Sequence, residues 1–236
     1  MFSEKISSFE EGQVLLFDKP LYWTSFDLVN KVRIIIRSTL GIRKIKIGHA
    51  GTLDPLASGL MIICTGKATR RIEEFRDLEK EYIATIHMGE TTPSYDLETE
   101  INGRFPVEQI SENIVIATLK GFLGEQKQIP PVHSAKMIDG RRAYEFARKG
   151  IKKEMNPVTV YFRELDLLSF GIPDIRIRIL CSKGTYIRSF ARDLGKALGS
   201  GAYLASLERT AIGPYLLKNA FSLEFFENSI KELKQI

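Results

Sequence analysis

The chain has 236 residues, 44% hydrophobic, 10% aromatic and 27% charged, with 34 Lys and Arg against 29 Asp and Glu for a formal charge of +5. That mixture supplies apolar material for a real core and excludes a disordered chain, a collagen-like chain and a disulfide miniprotein. Cys64 and Cys181 sit singly in apolar runs and His49, His87 and His133 lie far apart, so neither a zinc site nor a disulfide framework is indicated. Met1 to Glu11 lacks the apolar centre of a signal peptide. One of the longest apolar runs, Leu60 to Cys64, falls far short of the roughly 20 residues a bilayer needs. The expectation is a soluble protein of a reducing, cytoplasmic compartment.

In chain order, Val14 to Phe17 reads as a buried strand stopped by Asp18-Lys19-Pro20. Thr24 and Asp27 form an acidic capping box ahead of Leu28, Val29, Val32, Ile35, Ile36 and Leu40 at helical spacing, with Gly41 closing the helix. A glycine-punctuated loop, Gly48 to Gly59, leads into a strand over Leu60 to Cys64. Glu81 to Met88 alternates as a strand does, and Glu108 to Phe122 reads as an amphipathic helix. Gln128 to Ser134 is extended, and Arg141 to Lys149 reads as a short basic helix ended by Gly150. Val158 to Phe170 and Ile175 to Cys181 read as strands, Tyr186 to Leu198 as a helix ended by Gly199, and Leu223 to Leu233 as a terminal helix.

Strands and helices alternate irregularly, with no βαβ period and no GxGxxG turn. The fold expected is α+β, a central mixed or antiparallel sheet flanked by helices. It is expected to form one domain over 1–236, carrying a basic insertion at about 124–156. Charge is uneven. Leu28 to Leu53 holds six bases and no acid, Lys136 to Lys153 has a positive excess of five, and Glu90 to Glu112 has a negative excess of five. Such segregation suits a face for a polyanion, although basic runs are more often solvated helix faces.

The segment Gly48-His49-Ala50-Gly51-Thr52-Leu53-Asp54-Pro55-Leu56-Ala57-Ser58-Gly59 combines three glycines and a proline, which demands a tightly specified backbone. Pro55 biases Asp54 toward extended geometry, presenting one carboxylate on a stiffened loop. From the residues alone, a turn aspartate bonding its own backbone is the commoner reading.

This segment closely resembles the catalytic motif of the TruB family of tRNA pseudouridine synthases. Asp18-Lys19-Pro20, Lys80-Glu81-Tyr82, Gln128 to Lys136, Cys181 to Arg188 and Gly213-Pro214-Tyr215 resemble other family motifs in family order, so the likeness runs through most of the chain. The resemblance implies the pseudouridine synthase catalytic fold and isomerisation of uridine 55 in the T loop of tRNA. The reaction breaks the C1′–N1 bond, turns the uracil and rejoins it through C5. No redox change, group donor, metal or cofactor is implied.

By the same resemblance Asp54 is the catalytic carboxylate, attacking C1′ or taking the 2′ proton. Arg188 matches the arginine that pairs with that carboxylate, Tyr82 the tyrosine that stacks on the target base, and Lys19 a supporting lysine. His49 matches a histidine packing against the RNA where the target is extruded, and Leu207 is placed beside the uracil. The target must leave its stack to react, which costs a few kcal/mol. Lys136, Arg141, Arg142, Arg148 and Lys149 of the basic insertion are expected to close over the RNA like a thumb, and the Lys31 to Lys46 stretch to hold the opposite side. Family members commonly continue into a C-terminal PUA domain, and a chain ending at Ile236 is expected to be the catalytic domain without it. The partner expected is the tRNA T stem-loop, bound by a monomer with no obligate protein partner. A guide-RNA-dependent relative and a tRNA-folding chaperone are the alternatives.

Overall fold

In the computed structural model, residues 9–42, 44–132, 137–138, 141–142 and 155–233 are described. The strands are β1 (Val14–Lys19), β2 (Ile47–His49), β3 (Ala57–Thr65), β4 (Lys80–Met88), β5 (Glu90–Thr91), β6 (Gly103–Arg104), β7 (Gly124–Gln128), β8 (Met137–Ile138), β9 (Arg141–Arg142), β10 (Val158–Gly171), β11 (Asp174–Cys181), β12 (Ala202–Ile212) and β13 (Tyr215–Leu216). The helices are α1 (Ser25–Leu40), α2 (Ile72–Asp77), α3 (Glu112–Phe122), α4 (Ile187–Ala197) and α5 (Leu223–Leu233). Contacts cluster in two units, Met1–Glu81 with Glu208–Ile236, and Tyr82–Leu207.

In the first unit β1 pairs antiparallel with β3, setting Lys19 opposite Gly59, and β2 pairs with β3 so that His49 faces Ile63. Helix α1 starts as expected: the Asp27 N–H donates to Thr24 Oγ1 at 3.0 Å and the Thr24 N–H to Asp27 Oδ2 at 2.9 Å. Two orphan donors of the first turn are thereby satisfied. Its stripe Leu28, Val29, Val32, Ile35 and Ile36 is buried. Phe17 meets Phe226 of α5 edge-on at 4.9 Å, and Phe9 meets the same ring at 6.3 Å. A further cluster joins Leu60, Ile62 and Cys64 of β3 to Ala68, Phe75 and Ile212.

In the second unit the order is β12-β4-β11-β10-β7. Strand β4 buries every second residue, Tyr82, Ala84, Ile86 and Met88 among them, as the two-residue period of a strand with one covered face requires. Strand β11 does the same with Ile175, Ile177 and Ile179. Helices α3 and α4 pack together, Phe190 of α4 lying 5.4 Å from Phe122 and 5.1 Å from Phe162. The α+β expectation, strands in a sheet flanked by helices, holds.

Several boundaries differ from expectation. Helix α3 begins at Glu112 rather than Glu108, because Ser111 is extended (φ −116°, ψ 160°) and residues before it form a turn closed by Ile110 N–H to Val107 O. Arg141 and Arg142, expected to open a helix, form instead a short strand paired with β8, a hairpin pairing that competes with helix. The remainder of that basic segment lies outside the described residues. Among the described residues no helix is long and apolar enough to cross a membrane.

Candidate active site

The loop between β2 and β3 is fixed from both sides of Asp54. The Leu53 N–H donates to Ser25 Oγ at 2.8 Å and Ser25 Oγ–H to Leu53 O at 2.9 Å, so one hydroxyl satisfies both backbone groups of the residue before Asp54. On the other side the Tyr22 N–H donates to Pro55 O at 2.7 Å. Asp54 O accepts from the Ala57 N–H at 3.1 Å, closing a turn with Pro55 at its second position, where the proline ring presets φ. The turn that the loop's composition suggested is present, and Asp54 itself is half-buried at its head.

A third restraint comes from β12. Arg209, 1% exposed, donates from Nε to Leu60 O at 2.7 Å, from Nη2 to Gly51 O at 3.2 Å and from Nη1 to Thr52 O at 3.5 Å. A planar fork with fixed donor directions suits this bridging of separate carbonyls. Gly59 (φ +104°) lets the backbones come together, since any Cβ there would meet Arg209 O and N.

Lys19, the last residue of β1, is fully buried, and its Nζ donates to Pro20 O at 2.8 Å and Trp23 O at 2.7 Å. Burial pushes its pKa down to about 8. The Asp54 carboxylate opposes that fall, the Arg209 guanidinium adds to it, and Asp18 and Asp27 oppose it more weakly. Lys19 and Asp54 are thus electrostatically coupled. His49, half-buried at the end of β2, has its pKa lowered, chiefly by burial, with the Gly51 backbone acting in the opposite sense and Arg209 and Arg76 adding to the fall. Its Nδ1 is buried and makes no hydrogen bond within ordinary distance and angle limits. A neutral, partly covered imidazole suits packing better than proton carriage.

The second unit holds Tyr82, Arg188 and Leu207. Tyr82 lies on the buried face of β4, 8% exposed, and Leu207 is half-buried on β12. Arg188 stands in the first turn of α4, 5% exposed. Its Nε lies 3.5 Å from Asp96 Oδ2 and its Nη1 donates to Ser94 O at 3.4 Å. The helix start is pinned by Gln128, whose Oε1 accepts from the Tyr186 N–H at 2.8 Å while its Nε2 donates to Tyr186 O at 3.1 Å. Asp96 is itself fixed: its Oδ1 accepts from the Glu98 N–H at 2.9 Å and its carbonyl from Thr92 Oγ1 at 2.6 Å. The guanidinium is therefore delivered with its orientation set.

Of the residues expected to meet RNA, Lys136, Arg148 and Lys149 lie outside the described residues, and Arg141 and Arg142 are described only as backbone. Ser25, Arg209 and Asp96 were not singled out from sequence. The buried arginine within Leu207-Glu208-Arg209-Thr210 breaks a strand pattern, and such a break was the one signal available for it.

Residues 37–187 match the family model described as TruB family pseudouridylate synthase (N terminal domain). A tRNA pseudouridine synthase B of Phocaeicola vulgatus is 56% identical over 219 residues, 93% of either chain, and that of Parabacteroides distasonis is 54% identical over 96% of this chain and 98% of its own. Among solved structures, a Cbf5-Nop10-Gar1 complex aligns with TM-score 0.70 and 26% identity over 100% of this chain and 60% of its counterpart. An H/ACA RNP bound to a substrate RNA containing 2′-deoxyuridine aligns with TM-score 0.69 and 25% identity, over 96% of this chain and 56% of the other. A family model spanning most of the chain, and relatives more than half identical along nearly their whole length, agree on one assignment: the chain belongs to the TruB family of pseudouridylate synthases.

Proposed function

We infer that the protein isomerises uridine 55 in the T loop of tRNA to pseudouridine, acting as a cytoplasmic monomer on the T stem-loop. The observation that carries this reading is a carboxylate, Asp54, held on a turn tied to Ser25 and Tyr22 and electrostatically coupled to buried Lys19. The relatives named tRNA pseudouridine synthase B, at 54–56% identity, support tRNA as the substrate. The guide-RNA-dependent reading draws on the H/ACA likeness, which is weaker at 25–26% identity.

Glycosidic cleavage leaves electron deficiency at C1′ and negative charge on the departing uracil. Asp54 meets the first, either by bonding to C1′ or by removing the 2′ proton so that a C1′=C2′ double bond forms. The uracil then turns and C5 bonds to C1′ as the Asp54–C1′ bond breaks or, on the second route, as the proton returns to C2′; the C5 proton leaves to restore the ring and N1 takes up a proton. By the family resemblance, Tyr82 is assigned to the target base, and Arg188, whose guanidinium is oriented by Asp96 and Ser94, to the charge of the reaction. Geometry and preorganised charge suffice for such a reaction.

Tritium release from tRNA bearing 5-tritiated uridine tests this. The parent releases tritium, and Asp54→Asn binds tRNA comparably but releases none. Undiminished release by the variant would remove Asp54 from the chemistry.

A further inference from the structure

The segment that frames Asp54 also carries exposed aromatic side chains for which the reaction above has no use. Tyr22 is held at φ 67°, in the left-handed region that bulky residues ordinarily avoid and that glycine enters freely. It is 75% exposed, so no burial of the ring offsets that cost. Phe26, in the first turn of α1, is 66% exposed, and Leu21 is 45% exposed. The backbone beneath them is rigid. Tyr22 is bonded to Pro55, Ser25 to Leu53 and the Trp23 carbonyl to Lys19, so the rings stand within a few residues of both neighbours of Asp54. Strain retained at an exposed residue beside a reactive group is characteristic of a site with a ligand to meet.

Chemistry narrows the ligand. Every nucleobase has a π face, and unpaired bases stack on aromatic side chains with little regard to sequence. Further along α1, Arg33 and Arg37 follow Phe26 at helical spacing and supply positive charge matched to phosphates, whereas Lys31 is paired with Glu227 at 3.4 Å. We propose that Tyr22 and Phe26 form a stacking platform for unpaired RNA bases neighbouring the target uridine. The platform deepens the reading above, since it rests on RNA being the substrate. It takes over stacking that the extruded region of the loop loses, and so favours the opened RNA over the closed one.

The chain's single tryptophan, Trp23, lies between the two rings in sequence and is half-buried. Its emission, titrated with tRNA transcript, reads binding for the parent, Tyr22→Gly, Tyr22→Phe, Phe26→Ala and the Gly/Ala double variant. Filter binding checks each affinity. Removing a ring should weaken binding about tenfold, whereas Tyr22→Phe binds as the parent does. The dependence of affinity on salt should keep the parent's slope, because no phosphate contact is lost. Tyr22→Gly should unfold at the parent's urea concentration or higher, since glycine relieves the left-handed strain. In the tritium assay KM should rise by a larger factor than kcat falls. With RNA made abasic at the loop position whose base stacks there, parent and variants should bind alike.

Parental affinity in the double variant overturns the platform, as does a loss that appears only as altered salt slope. Parental RNA affinity together with reduced self-association on sedimentation assigns the rings to protein contact and also overturns it. If the parent itself releases no tritium, the reaction is wrong, and the binding comparison still decides the platform.

Discussion

Replacing Arg209 with methionine separates the loop's position from its composition. Methionine matches the length of the apolar stem and is compatible with burial, but it offers no donor to Leu60 O, Gly51 O or Thr52 O. Two of the three bonds, at 2.7 and 3.2 Å, are of good length, and the third, at 3.5 Å, is marginal. A hydrogen bond from a charged donor contributes about 1.5–3 kcal/mol. Part of that loss is offset, because the variant no longer desolvates a cation. The net destabilisation should be about 2–4 kcal/mol, read as a lower urea midpoint with an unchanged slope. A carboxylate displaced by about 1 Å can cost roughly a hundredfold in rate. The methionine variant should therefore lose kcat by about that factor under conditions where it is still folded. Arg209→Lys, with charge but no planar fork, should recover stability more fully than rate. A methionine variant with the parent's urea midpoint and the parent's kcat would refute the idea that this guanidinium holds the loop.

Two further outcomes follow from the electrostatics. Lys19 has a pKa of about 8 against the usual 10.5, so between those values the unfolded chain holds a proton that the fold has released. Its contribution to stability is complete above pH 10.5 and disappears as pH falls through 8. The positive charge that Asp54 stabilises on Lys19 is correspondingly lost as pH rises through 8, and kcat/KM should decline there. In Asp54→Asn, which removes the strongest influence keeping that pKa up, NMR of the lysine Nζ should show a midpoint below that of the parent; an unshifted midpoint would uncouple the two groups. Asp96→Asn should leave Arg188 less firmly oriented in a buried site, lowering kcat roughly tenfold or more with a smaller change in tRNA affinity. An unchanged kcat would show that the ion pair serves the fold alone.

Local chemistry made much of this molecule readable. The Thr24–Asp27 cap, the stripe from Leu28 to Leu40 and the alternation of β4 and β11 all carry their own period, and each element appears where that period places it. The elements not anticipated carry weak or broken patterns. Strand β7, Gly-Glu-Gln-Lys-Gln, is polar because it lies at the end of the strand order with a single neighbour, β10. Strand β12 contains Arg209, whose burial is explained only by carbonyls more than 140 residues earlier. The site divides in the same way. The Gly48–Gly59 loop announced itself by its glycines and proline, whereas the clamps on it act across 28 and 158 residues, where no local spacing can signal them. Asp96 belongs with these, since a carboxylate followed by ordinary loop residues looks like any other until Arg188 is folded against it.

The arginine clamp also sets an order of events during synthesis. Gly51 and Thr52 leave the ribosome long before Arg209, the donor that grips Gly51 being 158 residues downstream. Contacts of such large separation form late in folding. An interrupted or prematurely terminated polypeptide thus has its acidic side chain but lacks the guanidinium that holds the loop beneath it.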